Sequence, residues 1–316
     1  MFSNRGRHSK GRNVSPLLII ILAVVLAVAV LVGVFTSCNS SNHNNNDNNR
    51  TGETLFVEQK PDVVKRGEKI TINDPSLGKI EIDAVHGFPK NAYENDNFKV
   101  DDKGMMTYYL KDEVASCMGI DLSEYQGDID FEAVKNQGFD FVMLRIGGRY
   151  YSDEGKFFSD AKFEEYYNNA KAAGLRVGGY FFSQAKNAEE AKAEAVFTLD
   201  SIKGMDFDYP IAFDWEMIEG DSARTDDVSN EDLTAAAIAF CETIEESGHT
   251  AIIYANTQLM YYKYNLEDLK DIDFWVADYE NHPSMYYNFT MWQYNIEGKV
   301  DGIEGNVDMN ICLKNY

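Results

Sequence analysis

From Gly119 onward the chain repeats one rhythm five times: a short apolar run, then an amphipathic stretch. "MGIDLS" precedes "FEAVKNQG", "DFVMLRIGG" precedes "FFSDAKFEEYYNNAKAAG", and "RVGGYFFSQ" precedes "NAEEAKAEAVFTLDSIKG". "YPIAFDWEM" then precedes "SNEDLTAAAIAFCETIEESG", and "TAIIYANT" precedes a shorter "LEDLKDI". Gly138, Gly174, Gly204 and Gly248 each fall where a helix must stop and the next strand begin. Ser229, with Asp232 three residues on, reads as a helix-opening cap. Consecutive βα units imply an α/β fold with a parallel sheet. Three further apolar runs, "DFWVADY", "FTMWQYN" and "NVDMNICL", lack full helices between them, so a closed barrel is expected to be irregular in its final third. The link "IEGKVDGIEGN" is too short for a helical crossover, which predicts that the last strand runs antiparallel and closes against the first.

The amino-terminal third has a different texture. Residues 1–16 form a basic tail, with Arg5, Arg7, Lys10 and Arg12 ahead of the first acid. Residues 17–37 contain the uninterrupted apolar run "LLIIILAVVLAVAVLVGVF", long enough to span a bilayer as a signal anchor, with the basic tail on the cytoplasmic side and everything after it outside. A cleaved signal peptide, with Cys38 as a lipoprotein cysteine, is the alternative. Residues 38–52, rich in Asn and Ser, read as a disordered linker. Residues 53–116 alternate in short runs such as "KITIND", "KIEIDAV" and "MMTYYL" between turn signals, predicting a small β-rich extension, either separate or packed on the main domain. Residues 117–316 form the barrel.

Charge narrows the partners. The formal net charge is −23, which disfavours nucleic acid. The histidines (His8, His43, His86, His249 and His282) show no HxH or HExxH spacing, and no GxSxG elbow, CxxC pair or GxGxxG loop appears, so neither a metal nor a cofactor is expected. What remains is carboxyl chemistry. In "YPIAFDWEMIEG" strand alternation sends Ala212, Asp214 and Glu216 to one face, the acids roughly 6.6 Å apart at about 3.3 Å per residue. In an α/β barrel the working residues stand at the carboxyl ends of strands, and Asp121, Asp214 with Glu216, and Asp278 with Tyr279 all fall there. Tyr180, Phe181, Tyr254, Trp275, Trp292 and Tyr294 are expected near the same rim, where aromatic rings suit the CH faces of a sugar; each is also an ordinary candidate for core packing.

The segments "GIDLSEYQGDIDFEAVKNQGFDFVMLRIGGR", "FDWE", "FWVADY", "MWQY" and "GIEGNVDMN", in that order, resemble the glycoside hydrolase family 25 muramidases, the Chalaropsis-type lysozymes. The resemblance spans residues 118–316, with Phe131 in place of the family's common Trp. It implies a (β/α)5β3 TIM-like barrel that hydrolyses the β-1,4 bond between N-acetylmuramic acid and N-acetylglucosamine in peptidoglycan. It also implies Asp121, Asp214, Glu216 and Asp308 as the catalytic centre. Arg145, Tyr180, Tyr254 and Trp275 are lesser candidates for binding substrate, together with Tyr279, Trp292 and Gln293. Glu216 is expected to be the general acid, its proton retained by neighbouring acids, with Asp214 ionised and stabilising an oxazolinium intermediate formed by the substrate's own acetamido group. A wall-binding protein without catalysis, or another glycan hydrolase of chitinase-like type, are the alternatives. The expected partner is the peptidoglycan strand, bound by a monomer tethered at a bacterial membrane. Barrel closure also brings Cys117 and Cys312 to one end, where an extracellular setting permits a bridge between them.

Overall fold

The computed structural model describes Phe56, residues 61–74 and residues 76–316; the basic tail, the apolar run and the whole linker of residues 38–52, including Cys38, lie outside the described residues. The chain first makes a hairpin, β1 (Lys69–Asp74) with β2 (Gly78–Asp83), then a second antiparallel sheet of β3 (Phe98–Val100), β4 (Met106–Leu110) and β5 (Glu113–Val114). The alternating part opens with β6 (Cys117–Leu122), α1 (Phe131–Asn136), β7 (Phe141–Arg149) and a short β8 (Phe157–Ser159). It continues through α2 (Phe163–Ala172), β9 (Arg176–Ser183), α3 (Ala188–Ser201), β10 (Ile211–Trp215), α4 (Asn230–Glu246), β11 (Ala251–Asn256) and α5 (Thr257–Tyr262). Strands β12 (Phe274–Ala277), β13 (Met291–Gly298) and β14 (Val307–Cys312) finish it.

Strands β6, β7 and β9 to β14 close into a barrel. All neighbouring pairs from β6 through β13 are parallel, and β14 runs antiparallel to both β13 and β6, as its short link requires. The four interhelical glycines have φ between 76° and 94°, the left-handed geometry that ends a helix without a Cβ clash. Ser229 accepts from the Asp232 amide and caps α4. Two expectations change. The second helix starts only at Phe163, because Phe157–Ser159 pairs with the end of β7. The segment "LEDLKDI" supplies only a single tight turn at Leu266–Asp268; the helix after β11 begins at once, where Asn256 accepts from the Leu259 amide.

The barrel interior is a small core of its own, including Cys117, Phe141, Met143, Tyr209, Trp275 and Met291. The larger core lies between the strands and the helices outside them. Packing inside is uneven: Phe141 pairs with Gly119, and a Cβ on Gly119 would sit 2.3 Å from the Phe141 ring. The β-rich extension packs on the barrel. Tyr93 donates to the Phe289 carbonyl, the Tyr294 hydroxyl accepts from the Met106 amide, and the Tyr287 hydroxyl accepts from the Val85 amide.

Cys117 and Cys312 are paired in the β6–β14 register, as closure predicts, but both are free thiols. Each has another partner: Arg176 donates to the Cys117 sulfur at 2.9 Å, and Cys312 donates to the Lys314 carbonyl at 3.1 Å. Gly119→Ala is expected to destabilise the protein by roughly 1–3 kcal/mol through overpacking against Phe141, read from urea unfolding. Adding Phe141→Leu should restore part of the loss, whereas wild-type stability of Gly119→Ala alone would contradict this packing.

Candidate active site

Strand alternation carries the inner face upward to a rim of acids. On β6, Cys117 and Gly119 lie below Asp121; on β10, Ala212 lies below Asp214; on β14, Cys312 and Asn310 lie below Asp308. Asp308 and Asp121 are direct partners in the antiparallel register, which sets two carboxyl groups side by side, so that ionising one opposes ionising the other. Glu216 follows the end of β10 by one residue. Asp121 and Asp214 are only 8% and 5% exposed, so this rim withholds most of the water that would ordinarily stabilise carboxylates.

The acids are served unequally. Asp121 Oδ2 accepts from Gln293 Nε2 at 2.9 Å and from Asn310 Nδ2 at 2.8 Å. Both amides are themselves fixed. Trp275 Nε1 donates to Asn310 Oδ1 at 2.8 Å, and the hydroxyls of Tyr254 and Tyr279 donate to Gln293 Oε1 at 2.9 and 2.6 Å. Asp214 Oδ1, by contrast, is buried with no hydrogen-bond partner. A buried acceptor left in that state is costly unless the group is protonated or another donor arrives.

Burial pushes all four carboxyls up. Asp121, buried but held by the two amides, reaches about 6. Glu216, through burial and the nearby Asp121 charge, reaches about 7, and Asp308, through burial and then Asp121 and Glu216, about 9. Asp214 rises well above its ordinary value through burial, with Glu216 and Asp121 adding to it and Arg145 opposing. The expectation that Asp214 stays ionised is therefore corrected for the free protein: Asp121, with two donors, is the best-supported anion of the cluster. Glu216 retains a proton close to neutral pH, as expected.

The polypeptide around Glu216 is held from outside the barrel. Gln184, wholly buried, donates from Nε2 to the Glu216 carbonyl at 3.3 Å, while its Oε1 accepts from the Thr225 hydroxyl at 2.9 Å. Trp215 Nε1 donates to the Ala185 carbonyl at 3.1 Å. The Gln184 amide donates to Glu194, whose carboxylate also accepts from Arg149 at 2.6 Å and from Ser183 at 2.5 Å. Two adjacent outward anchors thus fix where the Glu216 side chain starts.

The other expected residues divide. Tyr180 and Tyr254 line the inner face above Trp275, with ring centroids 6.2 and 4.8 Å from it. Trp275 itself is 2% exposed, a floor rather than a sugar platform. Arg145 is the rim's cation; it pairs with Asp160 at 2.8 Å and Glu124 at 3.3 Å and stacks 4.8 Å from the Tyr125 ring. Tyr279 is half exposed and free to meet a ligand on one side. Trp292 is a correction. It is fully buried on the outward face, donates to the Asp278 carbonyl at 2.6 Å and packs edge-on to Phe98 of the extension. With Met291 and Gln293 inward, Trp292 and Tyr294 must point out, and Phe181 likewise belongs to the outer core. Asn310 and Gln184 are the residues that the sequence reading missed. Alternation from Asp308 marks Asn310; no local signal marks Gln184.

Residues 120–303 match the sequence profile of Glycosyl hydrolases family 25. The chain belongs to this family. The autolytic lysozyme of Clostridium acetobutylicum is 30% identical over 194 residues, 61% of this chain and 54% of that protein, so this chain spans about half the length of that relative. Lysozyme M1 of Streptomyces globisporus is 29% identical over 211 residues, 63% of this chain and 68% of that protein. In fold, a family 25 glycosyl hydrolase from Bacillus anthracis superposes with a TM-score of 0.53 at 24% identity, covering 66% of this chain and 93% of that one. The family 25 match contains Asp121, Asp214 and Glu216, and it leaves out Asp308 and the β-rich extension.

The family 25 rim has a consequence for stability. A carboxyl whose pKa is higher folded than unfolded favours the folded state fully below the unfolded value, and that contribution is lost as pH rises through the folded value. Asp121, Glu216, Asp308 and Glu194, the last raised to about 7 chiefly by burial, all act this way. Glu190, where Arg224 outweighs burial and lowers the pKa to about 2, acts only under acid conditions. The thermal midpoint of the purified protein should fall from pH 5 to pH 9, and Asp308→Asn should flatten part of that fall. A midpoint that rises with pH across this range would contradict the burial of these acids.

Proposed function

We propose that this protein is an N-acetylmuramidase, a lysozyme hydrolysing the β-1,4 bond between N-acetylmuramic acid and N-acetylglucosamine in bacterial peptidoglycan. Family membership supports it, and so do the lysozyme names of the two relatives. The observation that carries it is the contrast on one strand end: Glu216 keeps a proton near neutral pH, and Asp214 offers a buried, unpartnered oxygen.

Glu216 donates its proton to the glycosidic oxygen as the bond to the anomeric carbon breaks. The acetamido carbonyl oxygen of the muramic acid residue attacks that carbon from the other face, giving an oxazolinium ion. Asp214 Oδ1 accepts a hydrogen bond from the acetamido N–H, the donor that the free site lacks; with that donor and the developing positive charge beside it Asp214 releases its proton to solvent and, as the carboxylate, balances the charge. Water then attacks the anomeric carbon, gives its proton to Glu216, and restores the acetamide with net retention. Burial and the charge of Asp121, which is fixed by its two amides, hold the Glu216 proton. Tyr180, Tyr254 and Tyr279 offer hydroxyls and ring faces to the sugars. The apolar run behind the basic tail supports a protein tethered at the membrane with its barrel outside the cell.

Purified peptidoglycan digested with the protein should gain reducing ends on N-acetylmuramic acid; ends on another sugar, or none, would overturn the reading. Glu216→Gln should lower turnover by about 10²- to 10⁴-fold while leaving the fold intact, since the amide keeps the shape and loses the transferable proton. Retention of more than about a tenth of the wild-type rate would remove Glu216 from the acid role.

A further inference from the structure

Each crossover between parallel barrel strands from β6 to β12 carries a helix, but residues 278–290, which join β12 to β13, have none. A segment with neither helix nor sheet of its own must find partners elsewhere for its backbone N–H and C=O groups. Residues 285–289 find them in the β-rich extension, which the family match leaves out. Lys90 and Tyr287 pair in an antiparallel bridge, the Asn91 amide donates to the Tyr286 carbonyl at 2.8 Å, and the Asn288 amide donates to the Pro89 carbonyl at 2.9 Å. Side chains add to this clasp. Asn91 Nδ2 donates to the Met285 carbonyl at 3.0 Å, the Tyr93 hydroxyl donates to the Phe289 carbonyl at 3.0 Å, and the Tyr287 hydroxyl accepts from the Val85 amide at 2.9 Å. Glu68, paired with Lys90 at 2.5 Å, accepts from the Tyr286 hydroxyl at 2.6 Å.

The same segment carries part of the active rim. Tyr279 donates to Gln293 Oε1 at 2.6 Å, and Gln293 Nε2 donates to Asp121 at 2.9 Å. A side-chain amide can turn over and exchange its oxygen for its nitrogen, so a hydroxyl held against Oε1 is what points Nε2 at the carboxylate. Two hydroxyls do so here. Tyr254 stands within β11, and the sheet sets its place. Tyr279 stands in a loop that is tied at its ends. At one end the Asp278 amide donates to the Gln293 carbonyl at 3.1 Å; at the other, Ser284 donates from its amide and its hydroxyl to Asp278 Oδ2 at 2.6 and 2.8 Å. The next residue, Met285, is the first that the extension holds. The barrel thus fixes where the Tyr279 loop begins, and the extension fixes the segment into which it runs.

We propose that residues 85–93 of the extension are a positioning element for the active rim: they stand in for the absent crossover helix and hold residues 285–289 so that Tyr279 keeps Gln293 turned toward Asp121. Asn91 and Tyr93 are its positioning residues, acting through carbonyl groups of the segment and touching no substrate. The extension is then part of the working enzyme as well as the stretch of chain that leads to the barrel. This role rests on the muramidase reading and adds to it a requirement for residues outside the family match.

The test uses the full chain labelled with carbon-13 at its aspartate carboxyls, the Asp121 signal being the one lost in Asp121→Asn. In Asn91→Ala the Asp121 midpoint should rise by about half a pH unit, because a looser donor favours the carboxylate less, and kcat on purified peptidoglycan should fall about three- to ten-fold. Asp214, Glu216 and Asp308 share the rim with Asp121, as do the hydroxyls of Tyr180, Tyr254 and Tyr279 and the Arg145 guanidinium; the substitution removes none of them. Tyr93→Phe, which loses one hydroxyl and keeps the ring, should move both readings in the same direction, so the outcome does not depend on Asn91→Ala folding. A clasp that served stability alone would lower the thermal midpoint and leave the folded variants with wild-type Asp121 titration and wild-type kcat. Either of those two readings unchanged in the folded variants would overturn the inference alone. A wild-type protein that cleaves no peptidoglycan would overturn the muramidase reading, and the inference with it.

Discussion

Four carboxylates of like sign share one barrel rim, and everything around them reflects the cost of keeping them out of water. An isolated buried carboxylate either finds donors or takes a proton. Both outcomes occur here. Asp121 has its pair of amide donors and remains closest to the anionic form, whereas Asp308, Glu216 and Asp214 are pushed toward the protonated form. The acid chemistry proposed for Glu216 follows from this shortage of donors. A cationic rim, with a second arginine as close as Arg145, would hold the same four groups ionised and leave no proton to transfer.

Supporting layers lie on both sides of the sheet. Inward, Trp275, Tyr254 and Tyr279 fix the amides that fix Asp121, so that a chain of hydrogen bonds running from the barrel interior to its rim favours Asp121 as the charged acid. Outward, Gln184 and Trp215 hold the backbone on either side of the Glu216 side chain. Beneath them the interior is filled by Phe141 against Gly119, which leaves no room for the rim to sink. The β-rich extension uses the outward face of the irregular third: Trp292, with neither helix nor solvent over it, is covered by Phe98.

Much of this was legible in the sequence because it depends on period. The βα rhythm, the helix-stopping glycines, the antiparallel last strand and the placement of Asp121 and Asp214 all follow from spacing within a few residues, while Asp308 is marked by the family resemblance. The misreadings arise where spacing is silent. Trp292 is an aromatic near the right strand end, and only its phase against Met291 and Gln293 shows that it points away. Asp214 looks like the natural anion from its neighbours in sequence, but its proton affinity is set by donors from β13 and β14, remote in the chain, that reach Asp121 instead. Gln184 acts through a carbonyl, for which no residue type is diagnostic. Phe157–Ser159 reads as the start of a helix until β7 is seen to extend far enough to pair with it.

The central claim is that the buried rim holds protons at neutral pH that ordinary carboxylates would have lost. Carbon-13 spectra of the protein labelled at Asp and Glu side-chain carboxyls, followed from pH 3 to pH 10, measure this directly. The account predicts that at least one carboxyl titrates near pH 7 and another well above it, that the first signal disappears in Glu216→Gln and that one of the higher ones disappears in Asp308→Asn. If every carboxyl in the spectrum titrated below about pH 5, the range of ordinary carboxylates, the rim would be solvated and ionised and the account would be wrong.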